Sequence, residues 1–136
     1  MLPEHDAGSG DAGSGIEVAR RVDKPWGHEL IWTHTDHYVG KLIVIDAGRR
    51  LSLQKHVHKD ESILVISGRL RLHLEAPDGT IAQIEMGPGD HRRVPTGRVH
   101  RFEAIDRTEL VEVSTPELDD VIRIEDDYGR EGTSAP

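Results

Sequence analysis

Gln54, His56 and His58 fall at every second position of the run Leu51 to His58, with Glu61 three residues further on and His100 far along the chain. Residues two apart share one face of a strand, so the three nitrogen-bearing side chains project together while Leu53, Lys55 and Val57 take the other side. Polar groups repeated on an interior face are costly unless something satisfies them, and a bound cation is one such partner. Imidazole nitrogens with carboxylate and amide oxygens suit Zn, Mn, Fe, Co or Ni, and the chain has no cysteine to add a soft sulfur donor. Two neutral imidazoles, an amide and a carboxylate leave a divalent ion with net positive charge. With open coordination positions it is then a Lewis acid rather than a closed structural centre. Any one of these residues alone is ordinary, and it is the grouping that points to a metal.

Such a group needs strands to hold it, and the chain supplies them. Short strand-like runs over 41–46, 63–66, 69–74, 80–85, 107–114 and 121–125 are separated by Gly, Pro and Asp turns. In 69–74 the alternation is strict, with Leu70, Leu72 and Leu74 facing inward. The turn around Pro95 and Gly97 delivers His100 from a separate hairpin. No helical stripe of ten or more residues appears in this region, so the expectation is an antiparallel sandwich or barrel. The pattern alone leaves an immunoglobulin-like sandwich, an OB-fold and a jelly roll open.

Size and composition agree with that class. The chain has 136 residues, enough for one compact domain. Only 35% of them are hydrophobic and 4% aromatic, so the core must come from Val, Ile and Leu, as in a thin barrel. The net charge of −8 argues against nucleic acid or an anionic membrane as the main partner, and an anionic substrate would need a locally basic pocket. Without cysteine there is no disulfide framework. No stretch approaches the roughly 20 apolar residues of a membrane span, and the N-terminus lacks a signal pattern, so a cytoplasmic location is the expectation. The small and acidic opening, with DAGSG repeated, reads as a disordered leader over 1–15. Residues 131–136 read as a disordered tail, leaving a domain over 16–130.

The spacing resembles the cupin superfamily. Its first motif falls on Gly48, Gln54, His56, Glu61 and Gly68, with Gln54 in place of the first His. Its second falls on Gly89, Pro95, Gly97 and His100, with Ala104 in place of the usual Asn. More narrowly, from about Val22 to Arg130, the chain is similar to the C-terminal cupin domain of type II mannose-6-phosphate isomerases, a domain often fused behind a mannose-1-phosphate guanylyltransferase. Lys24-Pro25-Trp26-Gly27, the Leu51–His58 run, Ser67-Gly68, Val94–Arg101 and the Glu125–Arg130 ending carry this likeness. It implies a single-domain all-β cupin jelly roll and one divalent metal on Gln54, His56, Glu61 and His100. It implies too a homodimer, and isomerisation of mannose 6-phosphate to fructose 6-phosphate. His58, Lys59 and Arg101 are the candidate catalytic residues; Lys41, Arg101 and Arg130 are candidates for the substrate's phosphate. Trp26 reads as core packing. The chain departs from the family where Arg-x-Glu-His-Trp becomes Lys59-Asp60-Glu61-Ser62-Ile63. That departure keeps open a non-catalytic sugar-binding or regulatory cupin acting beside a separate guanylyltransferase. Another metal-dependent cupin enzyme, such as a dioxygenase, is a third reading, since fold does not fix function.

Overall fold

The computed structural model describes residues 15–133. Twelve strands run along them: β1 (Arg20–Lys24), β2 (Gly27–His34), β3 (Val39–Ile45), β4 (Leu53–Lys55), β5 (Glu61–Ser67), β6 (Leu70–Glu75), β7 (Ile81–Met86), β8 (His91–Val94), β9 (His100–Ala104), β10 (Thr108–Ser114), β11 (Ile122–Glu125) and β12 (Gly132–Thr133). There is no helix among the described residues, and therefore none long and apolar enough to cross a membrane. The strands form two six-stranded sheets, ordered β1-β2-β3-β10-β5-β8 and β12-β11-β4-β9-β6-β7. All pairings are antiparallel, and the chain passes repeatedly from one sheet to the other, so residues distant in sequence meet between them.

The inner faces enclose one principal core. Leu70, Leu72 and Leu74 of β6 point into it as their alternation requires, meeting Ile43 and Ile45 of β3, Ile63 and Val65 of β5, and Phe102. Each such side chain taken out of water contributes about 1.5–3 kcal/mol. Trp26 is also fully inside this core, in the packing role expected of it. Leu30, Leu42 and Val44 form a smaller cluster, flanked by Ala19 and Val111. At the β5–β6 turn Gly68 has φ of 90°, and a Cβ there would stand 2.1 Å from the Arg107 carbonyl oxygen, so only glycine fits.

The six foreseen runs appear as β3, β5, β6, β7, β10 and β11, with ends shifted by a residue or two. The run 51–58 is corrected: β4 ends at Lys55 and the chain bends at Val57 and His58. Gly132–Thr133 pairs with β11, so strand pairing enters the stretch expected to be a tail. The expected leader lies, apart from Gly15, outside the described residues.

Candidate metal centre

His56, Glu61 and His100 come from three separate segments, and their donor atoms all lie within 4.8 Å of one another. His100 opens β9 directly opposite Gln54 of β4. Glu61 opens β5 on the facing sheet, and His56 follows β4 immediately. All three ligand candidates are almost fully buried.

Hydrogen bonding fixes what the two imidazoles present. His56 Nδ1 lies 2.5 Å from the Asp120 carbonyl oxygen and His100 Nδ1 lies 2.9 Å from the Arg98 carbonyl oxygen. A carbonyl only accepts, so both Nδ1 atoms carry hydrogen and each neutral ring keeps a bare lone pair on Nε2. Those Nε2 atoms stand 3.5 Å and 3.0 Å from Glu61 Oε1, and none of the three has a hydrogen-bond partner. Three buried acceptors aimed at one point repel each other unless a cation, either a metal ion or an added proton, lies among them. The donor set of two imidazoles and a carboxylate, each imidazole backed by a carbonyl, fits a divalent metal.

The second oxygen of Glu61 lies 3.3 Å from the Lys59 amine. Burial opposes ionisation of Glu61, but that ammonium holds its carboxyl well below the usual range. Lys59 also lies 3.2 Å from Glu112 Oε2. Burial works against the ammonium too, yet the two carboxylates raise its pKa and keep it protonated. Glu112 goes the other way: burial, then the charge on Glu61, pushes its carboxyl up to about 7.

One segment before β11 fixes the bend that carries His56. The Asp120 carboxylate accepts hydrogen bonds from the backbone N–H of Val57 at 2.9 Å, His58 at 2.6 Å and Lys59 at 2.8 Å. Its own carbonyl takes the His56 ring. These bonds end the extended run and turn His58 out, which is why strand alternation misplaces it. Gly97, with φ of 82°, donates its N–H to the His56 carbonyl at 2.9 Å and so ties the hairpin of His100 to the same bend.

His56 lines a cleft between the sheets with an enclosed volume of about 50 Å³, together with Lys24, Glu29, Lys41, Gln54, Lys59, Glu112, Arg123 and others. Four cationic side chains against two carboxylates make it the locally basic pocket that an acidic chain would need to hold an anion. Gln54 lies on this lining, its Oε1 accepting from Ser52 Oγ at 2.7 Å. Lys41 lies on it too, its amine 3.2 Å from Glu29.

The other candidates lie elsewhere. His58 is exposed. Arg101 follows His100 on β9 and takes the opposite face, beside His73, where its Nε donates to the Leu51 carbonyl at 2.9 Å. Arg130 makes two bonds to the Asp126 carboxylate, at 2.9 and 3.0 Å, and its guanidinium sits over the Tyr128 ring. Arg123, Glu112, Lys24 and Asp120 do not stand out in the sequence as site residues. The Ile-Arg-Ile alternation of β11 would put Arg123 outside, whereas its register opposite Gln54 puts it inside.

Comparison with known proteins places this geometry. The family described as mannose-6-phosphate isomerase C-terminal matches residues 11–126. A mannose-1-phosphate guanylyltransferase of Escherichia coli (strain K12) is 33% identical over 118 residues, 83% of this chain and 24% of that protein. The alginate biosynthesis protein AlgA of Pseudomonas aeruginosa is 32% identical over 114 residues, 80% of this chain and 23% of that protein. The chain thus spans about a quarter of the length of these relatives. Among solved structures, KdgF from Halomonas sp. superposes with a TM-score of 0.62 at 20% identity, covering 71% of this chain and 86% of its own. The capsular polysaccharide assembling protein CapF of Staphylococcus aureus gives 0.68 at 17% identity, covering 85% of this chain and 36% of its own. At such identities these likenesses speak for the fold, and together with the two antiparallel sheets they make it a cupin jelly roll. On the match across most of its length, the chain belongs to the family of mannose-6-phosphate isomerase C-terminal domains.

Proposed function

We propose that this domain is a metal-dependent sugar-phosphate isomerase that interconverts mannose 6-phosphate and fructose 6-phosphate in nucleotide-sugar and polysaccharide biosynthesis. One observation carries the reading: three unpartnered lone pairs, on His56, Glu61 and His100, converge beside a basic cleft that His56 lines, in an acidic protein. These residues would hold the metal, with Gln54 supplying a fourth, amide ligand from the position opposite His100. When bound, the ion supplies Lewis-acid polarisation of substrate oxygens.

The chain's own residues then have separate tasks. Aldose–ketose exchange takes a proton from C2 of the aldose and delivers one to C1, with no net change of atoms. Glu112 suits this transfer, because burial raises the pKa of its carboxyl and so lets it accept a proton and give it back. Lys59, held as an ammonium, keeps positive charge beside Glu112 and serves as a donor rather than a base. His58, exposed and bent away from the cleft, has no part in the transfer. The proposal includes the homodimer that the family resemblance implies, which light scattering checks.

A second reading, a sugar-binding cupin without turnover, draws support from Lys59, Ser62 and Ile63 standing where the family pattern has Arg, His and Trp. Arg and Lys differ in how they grip an anion, and this Lys is already committed to two carboxylates. A coupled assay with mannose 6-phosphate and added Mn, Zn or Co decides between them. Turnover that is lost in His100→Ala is expected from an isomerase. Metal binding without turnover would favour the binding module, and oxygen uptake would point to a dioxygenase.

A further inference from the structure

Arg123 is a cleft residue whose donors remain unspent. It is 7% exposed, yet its Nε and Nη1 are buried without any hydrogen-bond partner. A guanidinium offers five donors in a planar fork, and leaving it buried and unpaired is expensive. The carboxylates around it are already engaged. Both Asp126 oxygens accept from Arg130, and Glu29 takes the Lys41 amine. The fold therefore positions a charge and leaves its answering charge out.

Register shows where that charge points. Arg123 of β11 stands opposite Gln54 of β4, and Gln54 stands opposite His100 of β9. Directly paired residues share a face, so Arg123, Gln54 and His100 form one rung across the inner side of the sheet. Strands lie about 4.8 Å apart, which sets the Arg123 backbone about 10 Å from that of His100. Lys24, which ends β1, and Lys41 of β3 line the same cleft from the facing sheet. A small ligand touching the metal-binding group thus has its far end beside Arg123.

We propose that Arg123, backed by Lys24, is the receptor for the phosphoryl group of the cleft's ligand, bound across the planar fork of the guanidinium. This rests on the reading of the cleft as the ligand site, but not on isomerisation. Two oxygens of one phosphoryl group match the fork, and a dianion answers both Arg123 and Lys24. The bound group then satisfies the donors that the fold leaves open.

Inorganic phosphate is the probe, titrated calorimetrically into the full chain both with metal removed and after loading with Zn. Saturable binding in both states is expected, weakened at least about 10-fold in Arg123→Met and less in Arg123→Lys. Zn affinity should stay within about 2-fold in both variants, and the melting temperature of Arg123→Met should equal or exceed that of the wild type, because an unpaired buried charge has gone. Phosphate affinity unchanged in both variants would overturn the assignment. So would a fall in melting temperature with phosphate binding intact, which is the mark of a purely structural arginine. Arg123-dependent phosphate binding in a protein that does not turn over mannose 6-phosphate would uphold this inference and sink the isomerase.

Discussion

Glu61 is the residue on which the centre turns, because its two oxygens do different work. Oε1 faces both imidazole lone pairs, and Oε2 faces the Lys59 amine. Glu61→Gln keeps the shape but lets the amide N–H₂ donate to an Nε2, so the metal-free protein should gain a hydrogen bond while the metal loses an anionic ligand. Zn affinity measured by competition with a chelating dye should fall by about 100-fold or more, with the melting temperature of the metal-free protein no lower than wild type. An unchanged affinity would remove Glu61 from the ligand set. His58→Ala is the contrasting case. That side chain is exposed, so Zn affinity and any turnover should stay within about 2-fold, and a loss of turnover alone would restore it as a candidate base. The sequence makes His56, Glu61 and His100 readable, since ligand type and spacing survive without a structure. It hides Glu112 and Arg123, because a charged residue in an alternating strand looks like a solvated one until strand register is known. His58 fails for the complementary reason: alternation holds only while the strand continues, and this one stops at Lys55.

At the scale of elements, the site depends on a bend rather than on a strand. Asp120 fastens residues 57–59 through three backbone donors and orients the His56 ring through its carbonyl. Asp120→Ala leaves those N–H groups unsatisfied and frees the loop. Zn affinity is expected to fall by roughly 10- to 100-fold, as when a group that orients a metal ligand is lost. Titration gives a second test. Burial raises the Asp120 carboxyl, but the three N–H donors outweigh it and hold the folded value below the ordinary one. The bend's contribution to stability is therefore complete above about pH 4, and is lost as pH falls through the lowered folded value. Thermal melts between about pH 6 and 3 should show a smaller acid loss in Asp120→Ala than in wild type, and equal slopes would contradict this role. The strands themselves were legible where alternation was strict, as in β6, or where an apolar run met a glycine turn, as at Gly68. β1 and β2 were not singled out, since Arg, Asp, His and Glu interrupt the apolar pattern there, and Glu29 and Lys41 face inward as a pair.

For the whole molecule, the cleft inverts the surface: a chain of net charge −8 gathers Lys24, Lys41, Lys59 and Arg123 around one opening between its sheets. Charge totals read from composition could exclude partners for the surface, but they could only call for such an opening without locating it. The jelly-roll connectivity does the locating, because residues as far apart as Lys24 and Arg123 meet only when β11 pairs with β4 and the sheets close. The same closure would couple a metal held by His56, Glu61 and His100 to folding. The three candidate ligands come from β5, β9 and the bend after β4, so an unfolded chain cannot present them together, and an ion bound there would add directly to the stability of the closed barrel. With free ion at about 1,000 times its Kd the gain is about 4 kcal/mol. For a domain of this size that corresponds to a rise in melting temperature of about 10–20 °C. Calorimetric melts of wild type with Zn and with excess EDTA should differ by that amount, whereas Glu61→Gln, with about 100-fold weaker binding, should gain only about 1.4 kcal/mol, roughly a third of the wild-type shift or less. The contrast matters more than the size of the shift, since a metal bound only at surface carboxylates would stabilise both proteins equally. Equal shifts in the two would place the ion outside the barrel and leave the three converging lone pairs to a proton instead.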